Sequence, residues 1–204
     1  MSPQTEPEPT VFIVDDDAAI RFAMQALMES VNLPHEIFDS ADEFLASVPG
    51  QRPGCLVLDI RMPGLGGLEL QQELINRNNT LPIIFITGHG DVPMAVEAMQ
   101  KGAVDFIQKP FRDQELLDRI RIALETDAER RVEQQQRSAV QARLEKLTQR
   151  EREVFDLVVT GKPNKIIAFE LDVSQRTVEI HRARVMDKMQ AKSLADLVKM
   201  HLTL

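Results

Sequence analysis

The sequence has little cysteine and no long apolar segment. Cys55 is the single cysteine among 204 residues, so the chain cannot form an intramolecular disulfide. We therefore expect a reducing, cytoplasmic environment, with Cys55 as a buried packing residue rather than a nucleophile. No apolar run approaches the ~20 residues of a transmembrane helix, so we expect no membrane partner. Residues 1–9 are polar and lack the basic and apolar regions of a signal peptide, which predicts a flexible tail.

Glycine and proline are also absent from residues 111–160. Because these two residues most often end helices, their absence favours a long helix. The first part of this helix has an apolar stripe that predicts packing on a sheet: Leu116, Leu117, Ile120 and Leu124. Further on, apolar positions become sparse among Glu, Arg and Gln. We predict an exposed helical linker over residues 124–143, ending near Lys146, with a mobile and only partly helical linker as the alternative.

Charge is distributed unevenly along the chain. Residues 1–143 contain 13 basic and 23 acidic residues, a net charge of −10. Residues 144–204 contain 11 basic and 9 acidic residues, a net charge of +2. This difference predicts two domains with different partners, although +2 alone is weak evidence for a nucleic-acid partner.

Strand and helix patterns alternate five times before about residue 125. Short apolar runs at residues 11–14, 35–38, 55–58, 82–86 and 104–107 are typical of buried strands, and helical segments follow them. Alternating βαβ units predict a parallel sheet with helices on both faces. We therefore predict an α/β domain over residues 10–123, with a five-stranded, doubly wound, flavodoxin-like parallel sheet.

Polar side chains follow four of the predicted strands. Asp15 and Asp16 follow the first strand, Asp59 the third, Thr87 the fourth and Lys109 the fifth. Because the C-terminal ends of parallel strands share one edge, where ligands bind, we expect these side chains to converge. Each residue alone is more often a cap, a turn residue or a surface charge. All five at the correct strand ends indicate a functional site.

Three carboxylates at one edge favour a bound cation, because like charges packed closely repel one another. Oxygen ligands without His or Cys favour Mg²⁺, or Mn²⁺ in its place. A carboxylate beside such an ion can attack a phosphoryl group, whose oxygens Lys109 would stabilise. The predicted product is an aspartyl phosphate on Asp59, with Thr87 placed to donate a hydrogen bond to it.

The C-terminal part carries signals for four short helices. Thr148 and Glu151 have the spacing of a capping box, Ser174 precedes a helix expected over residues 175–189, and Ser193 precedes the last helix with Asp196 at its first turn. A tight turn at residues 172–174 separates two of these helices, which predicts a helix-turn-helix unit. We place this all-α domain at residues 144–204.

The first domain resembles the receiver domains of two-component response regulators. The matching motifs are Asp15-Asp16, Leu58-Asp59-Ile60-Arg61-Met62-Pro63-Gly64, Ile86-Thr87-Gly88 and Lys109-Pro110. The resemblance implies that Asp59 is the phosphoacceptor. It also implies that Asp16, Asp59 and the Arg61 carbonyl bind Mg²⁺, with Asp15 acting mainly through water.

The same resemblance assigns the residues that respond to phosphorylation. Thr87 would be the switch hydroxyl and Lys109 the phosphate-binding cation, and the bond between Lys109 and Pro110 is expected to be cis. The family's switch aromatic falls on Phe106, which has no hydroxyl to redirect. A plain core role for Phe106 is the alternative.

Residues 147–201 resemble a LuxR-type DNA-binding domain. The matching motifs are Leu147-Thr148-Gln149-Arg150-Glu151-Arg152-Glu153-Val154, Asn164-Lys165-Ile166-Ile167-Ala168 and Thr177-Val178-Glu179-Ile180-His181-Arg182. Together with residues 87–99, these motifs point to the FixJ branch of the NarL/FixJ family of response regulators.

Helical periodicity divides the predicted recognition helix into two faces. Val178, Val185 and Met189 form an inward stripe flanked by His181, and Arg182 lies near its edge as a structural residue. The outer face predicts base contacts from Glu179, Ile180 and Ala183. We expect contacts with the DNA phosphates from five basic residues, which are Lys165, Arg176, Arg184, Lys188 and Lys192. The family motif adds Thr177 to the predicted DNA-binding residues. A solvated helix face is the alternative.

These features predict a phosphorylation-dependent transcription regulator rather than an enzyme. We expect its receiver domain to assist only its own phosphorylation and dephosphorylation. The expected partners are a sensor histidine kinase, double-stranded promoter DNA, a second copy of the chain on phosphorylation, and RNA polymerase, with activation as the expected output. A Mg²⁺-dependent phosphohydrolase is disfavoured because no inserted cap or substrate pocket is visible. A regulator that is never phosphorylated is disfavoured by the intact set of aspartates and lysine.

Overall fold

The structure is a computed structural model that describes residues 8–48, 50–88 and 92–204. The chain divides into two compact units, Met1–Arg130 and Arg131–Leu204. This division falls beyond residue 123, where we expected the first domain to end. Residues 1–7 of the expected tail, and residues 89–91 within the motif at 87–99, lie outside the described residues.

The first unit contains a sheet of five parallel strands: β1 (Thr10–Val14), β2 (His35–Phe38), β3 (Gly54–Asp59), β4 (Ile83–Thr87) and β5 (Asp105–Gln108). Their order across the sheet is β2-β1-β3-β4-β5. The register places Asp59 beside Ile86 and Thr87 beside Gln108. The predicted α/β class and five-stranded parallel sheet are confirmed.

Helices cover both faces of this sheet, and they are α1 (Ala18–Ser30), α2 (Ala41–Ser47), α3 (Gly67–Asn76), α4 (Val92–Gln100) and α5 (Asp113–Leu144). The central strands β1, β3 and β4 consist mostly of buried apolar residues because helices cover both of their faces. In β1, for example, Phe12 and Val14 pack into one core layer and Val11 and Ile13 into the other. Cys55 is fully buried, as predicted.

The helix α5 begins in the first unit and ends in the second, and its 32 residues are continuously α-helical. Leu116, Ile120 and Ala123 are buried in the core of the first unit. Further along, Val132 is 52% exposed. The predicted helical secondary structure of the linker is therefore confirmed.

The second unit contains the end of α5 and four further helices, α6 (Gln149–Val159), α7 (Asn164–Glu170), α8 (Gln175–Met189) and α9 (Leu194–Leu202). Both capping boxes are present, with Thr148 and Glu151 at the start of α6 and Ser193 and Asp196 at the start of α9. The Ser174 hydroxyl accepts a hydrogen bond from the Thr177 N–H at 3.0 Å and caps α8. These local signals predict the helix starts correctly because each satisfies backbone N–H groups that a helix leaves open.

The core of the second unit joins α6, α7 and α8 through apolar residues that include Phe155, Ile167, Val178 and Val185. The helices α7 and α8 are connected by the turn at Asp172, whose φ is +52°. This pair forms the predicted helix-turn-helix. Within the described part of the chain, no helix combines the length and apolar character needed to cross a membrane.

Candidate functional site

Polar side chains converge at the C-terminal edge of the sheet, as the strand ends predicted. Asp59 and Thr87 are the last residues of β3 and β4, Asp15 directly follows β1, and Lys109 directly follows β5. The Lys109 N–H donates to the Thr87 carbonyl at 2.7 Å, which holds the start of the following loop beside β4. The bond between Lys109 and Pro110 is cis, as expected.

Lys109 connects the two deeper aspartates. Its Nζ lies 2.8 Å from Asp59 Oδ2 and 2.9 Å from Asp15 Oδ2. The other oxygen of Asp59, Oδ1, accepts a hydrogen bond from the Arg61 N–H at 3.2 Å. The Asp59 side chain is 12% exposed, so part of it contacts solvent while the two hydrogen bonds fix its orientation.

The three aspartates form a compact acidic cluster. Asp15, Asp16 and Asp59 each offer a carboxylate oxygen, and these oxygens lie within 4.8 Å of one another. Asp15 is 1% exposed, and its Oδ1 accepts from the Asp17 N–H at 2.9 Å. Three oxygen donors without nitrogen or sulfur suit a hard divalent cation. The cluster could therefore bind a metal ion.

Arg21 carries no motif that marks it as a site residue, yet it supports the acidic loop. Its Nη1 donates to the carbonyl oxygens of Asp15 and Asp16, at 2.8 Å in both cases. Arg21 lies near the start of α1, where the helix dipole disfavours a cation. That unfavourable position is the sequence signal that could have indicated a specific contact.

Burial and pairing change the acidity of the two most enclosed groups. Desolvation raises the pKa of Asp15, because it outweighs the opposing effect of the hydrogen bond from Lys109. Burial alone lowers the pKa of Lys109, but hydrogen bonds to Asp59 and Asp15 offset it and raise the pKa above its usual value. Lys109 therefore remains charged at neutral pH and places a positive charge beside Asp59.

Thr87 and Phe106 occupy different environments. Thr87 is 3% exposed at the end of β4. Phe106 is 40% exposed on the edge strand β5. The core role considered for Phe106 is therefore wrong, because a side chain this exposed contributes little to the core.

The start of α3 lies directly against the end of β3. A Cβ at Gly67 would lie 2.3 Å from the Asp59 carbonyl oxygen and 3.1 Å from the Phe85 ring. The Gly67 N–H donates to the Ile60 carbonyl at 3.0 Å. Only glycine permits this approach, so Gly67 fixes the backbone beneath Asp59.

In the second unit, the face of α8 that we predict to contact DNA is exposed. Val178, Val185 and Met189 are buried, as expected for the inward stripe. The predicted contact residues on this unit are exposed, with Ile180 at 45%; they are Lys165, Arg176, Glu179, Ile180, Ala183, Arg184 and Lys192. Thr177 is half-buried, and its hydroxyl lies 2.8 Å from that of Ser174, so its side chain takes part in the helix cap.

Lys188 is placed differently from the other predicted phosphate contacts. Its Nζ lies 2.6 Å from Glu151 Oε2, and Glu151 is 2% exposed. This hydrogen bond, together with the Thr148 N–H, lowers the pKa of Glu151 to about 2. We therefore reassign Lys188 to an ion pair that joins α8 to α6. Arg182 is structural as expected, since its Nη1 lies 2.6 Å from Asn164 Oδ1 on α7.

Comparisons with known proteins match both parts of the chain. Residues 11–121 match the response regulator receiver domain, and residues 145–201 match the luxR family of bacterial regulatory proteins. The chain is 50% identical to nodulation protein W of Bradyrhizobium diazoefficiens, over 95% of this chain and 86% of that protein. It is 48% identical to the transcriptional regulatory protein FixJ of Rhizobium meliloti, over 95% of each protein. The solved structure of the response regulator StyR superposes with a TM-score of 0.86 at 43% identity, over 97% of this chain and 100% of that one.

A parallel sheet with an acidic cluster and a lysine at one edge, followed by a helix-turn-helix, defines a two-component response regulator that controls transcription. Within that class, the chain belongs to the NarL/FixJ family. The resemblance inferred from its motifs is confirmed.

Proposed function

We propose that Asp59 accepts a phosphoryl group from a sensor histidine kinase, and that the phosphorylated chain dimerises and binds promoter DNA. The observation that carries this proposal is the position of the Lys109 Nζ, 2.8 Å from Asp59 and 2.9 Å from Asp15 within the acidic cluster. Activation of transcription together with RNA polymerase is the expected output.

The contacts of Asp59 suit it for nucleophilic attack. The Arg61 N–H and Lys109 orient its two oxygens, and Lys109 is placed to pair with phosphoryl oxygens as the bond from Asp59 to phosphorus forms. The bond from phosphorus to the donor's histidine nitrogen breaks at the same time, and the leaving imidazole takes up a proton. Asp15, Asp16 and Asp59, with the Arg61 carbonyl, would hold Mg²⁺ or Mn²⁺. When bound, this ion neutralises the clustered carboxylates and the transferring group.

Thr87 and the surface next to it would change conformation when Asp59 is phosphorylated. The Thr87 hydroxyl is buried beside the site and gains a new acceptor when Asp59 is phosphorylated. Its movement would remodel α4 and β5, which carry exposed apolar side chains: Val96 at 50%, Met99 at 38% and Phe106 at 40%. This surface is the proposed dimer interface, and Phe106 acts there through packing because it has no hydroxyl.

In the DNA-binding domain, base edges would be read by Glu179, Ile180 and Ala183. Phosphates would be held by Lys165, Arg176, Arg184 and Lys192. An Arg176→Ala change should weaken binding to all DNA sequences alike, whereas Glu179→Ala should relax the preference at one base pair. An Arg176→Ala effect on sequence preference alone would contradict this division.

Phosphorylation is tested by incubating the full chain with labelled acetyl phosphate and Mg²⁺. The wild type should incorporate base-labile label and bind promoter DNA more tightly, and Asp59→Asn should do neither. Asp42→Asn, an exposed carboxylate on α2, is the matched control and should behave as the wild type. Equal label in Asp59→Asn and the wild type would remove Asp59 from its role. Continuous turnover of phosphorylated metabolites would favour the phosphohydrolase instead.

A further inference from the structure

The linker helix is attached to the strand that carries Asp59, at the end of that strand away from the site. We propose that Asp127 is a positioning residue that anchors α5 to β3, so that the receiver domain extends to Arg130 and the linker begins after it. Where it concerns the response to phosphorylation, this inference rests on the proposed function.

Asp127 continues a buried stripe whose other members are apolar. Leu116, Ile120 and Ala123 pack in the core, and Asp127, one turn further along α5, is only 3% exposed. Its neighbours Ala128 and Glu129 are exposed. Packing alone would be satisfied by an apolar side chain here, and a carboxylate is rarely buried so completely unless a partner compensates for its lost hydration.

One partner of the Asp127 carboxylate is the backbone of β3. Asp127 Oδ2 accepts a hydrogen bond from the Gly54 N–H at 2.9 Å. Two residues further along β3, the Leu56 N–H donates to the Pro82 carbonyl on the side of β4. The Gly54 N–H has the same direction, because hydrogen-bonding directions alternate along a strand. Pairing of β3 with β4 starts only at Leu56 and Ile83, so β4 does not extend to Gly54. The Asp127 carboxylate therefore accepts the hydrogen bond that a backbone carbonyl of a neighbouring strand would otherwise accept.

Gly54 is suited to this contact by its backbone. Its φ is +144°, and a Cβ there would lie 1.9 Å from the Thr10 carbonyl oxygen. Any other residue would push β3 away from β1. The first residue of β3 therefore presents bare backbone to the Asp127 carboxylate.

A second contact lies one turn further along α5. Arg130 Nη1 donates to the Thr80 carbonyl at 3.4 Å, in the segment that leads into β4. The helix thus contacts the N-terminal ends of β3 and β4, whose other ends carry Asp59 and Thr87. Beyond these contacts Val132 is 52% exposed. Asp127 and Arg130 therefore mark where α5 stops being part of the receiver.

Hydrogen exchange of the full chain tests the anchor directly. Asp127→Ala should speed exchange at the Gly54 amide by about 10- to 100-fold, the loss expected for a hydrogen bond to a charged acceptor. Exchange in α5 around residues 127–135 should also increase. Asp127→Asn should recover much of the protection because its amide oxygen can still accept. Glu129→Ala, on the exposed face of the same turn, is the matched control, and equal exchange in Asp127→Ala and Glu129→Ala would overturn the anchor.

The consequence for signalling is measured with acetyl phosphate and promoter DNA. Asp127→Ala should keep its label at Asp59 but reduce the ratio of DNA affinities, phosphorylated over unphosphorylated, by about 5-fold or more, the lower range of allosteric coupling. An unchanged ratio, with only a lower melting temperature, would show a purely structural residue and overturn the positioning role. If the wild type itself takes no label, the proposed function fails, while the exchange measurement still decides the anchor.

Discussion

Replacing Glu151 by glutamine should destabilise the second unit by about 1–2 kcal/mol at neutral pH. Glu151 is buried at the start of α6, where its Oε2 accepts from Lys188 of α8 at 2.6 Å and from the Thr148 N–H at 2.9 Å. Glutamine can still accept from the Thr148 N–H within the capping box, so the change removes mainly the charge interaction with Lys188.

The magnitude follows from the acidity of Glu151. The hydrogen bond from Lys188 and the Thr148 N–H lower its pKa from 4.5 to about 2. Such a difference corresponds to at most about 3 kcal/mol of folding free energy. The expected loss is smaller because Lys188 is 32% exposed, so that solvent screens the pair, and because the capping hydrogen bond survives in the variant.

The pH dependence has a definite sign. Because the pKa of Glu151 is lower in the folded chain, its contribution is present above about pH 4.5 and is lost as the pH falls towards 2. The difference between the wild type and Glu151→Gln should therefore be largest near neutral pH, and most of it should be lost by pH 2.

The assay is amide hydrogen exchange across α6 in the full chain at several pH values, corrected for intrinsic rates. Glu153→Gln is the matched control, because Glu153 lies on the same helix and pairs with Arg150 at 2.7 Å but is 37% exposed. Loss of the ion pair between Glu153 and Arg150 should cost less than about 1 kcal/mol. Equal effects of the two variants at neutral pH, or a Glu151→Gln effect that is as large at pH 2 as at neutral pH, would refute the role of the ion pair.

Three other features of the first unit can be tested one at a time. Gly67→Ala should lower the free energy of unfolding of the first unit by about 1–3 kcal/mol in urea titrations, because the new Cβ would collide with backbone atoms. Gly66→Ala should cost less, because its Cβ would first contact the end of the flexible Glu69 side chain. Equal costs of the two changes would contradict this difference. Cys55 should not react with thiol reagents in the native chain at pH 8, because burial raises the pKa of its thiol to about 12. A reaction as fast as that of the urea-unfolded chain would show that the thiol is accessible. Lys109→Met should reduce the rate of labelling by acetyl phosphate by about 100-fold, because it removes the positive charge beside Asp59. Lys101→Met, which breaks an exposed ion pair, should leave this rate unchanged. An unchanged rate in Lys109→Met would remove Lys109 from phosphoryl transfer.

The convergence of Asp15, Asp59, Thr87 and Lys109 could be predicted because it depends on local signals. Each residue follows a short apolar run, and parallel strands bring such positions to one edge whatever the lengths of the intervening helices. The caps at Thr148, Ser174 and Ser193 were equally local. Strand limits shifted slightly, as in β4, where Thr87 still pairs with Gln108 and belongs to the strand.

Contacts between distant residues could not be predicted in this way. Asp127 and Gly54 are 73 positions apart, and Lys188 and Glu151 are 37 positions apart, and no periodicity connects either pair. Lys188 was expected to bind phosphate because its charge and helix position permit it, and only the packing of α8 on α6 shows the buried carboxylate opposite. Phe106 was ambiguous for a related reason, since the edge position of β5 decides whether its side chain is covered.

The proposed function depends most directly on phosphorylation of Asp59. Borohydride converts an aspartyl phosphate to homoserine, so the most direct measurement treats the full chain with acetyl phosphate and Mg²⁺, reduces it with borohydride and sequences its peptides by mass spectrometry. Homoserine at position 59, present with Mg²⁺ and absent after chelation, is the predicted result. Homoserine at another aspartate, or a labelled chain without homoserine at position 59, would contradict it.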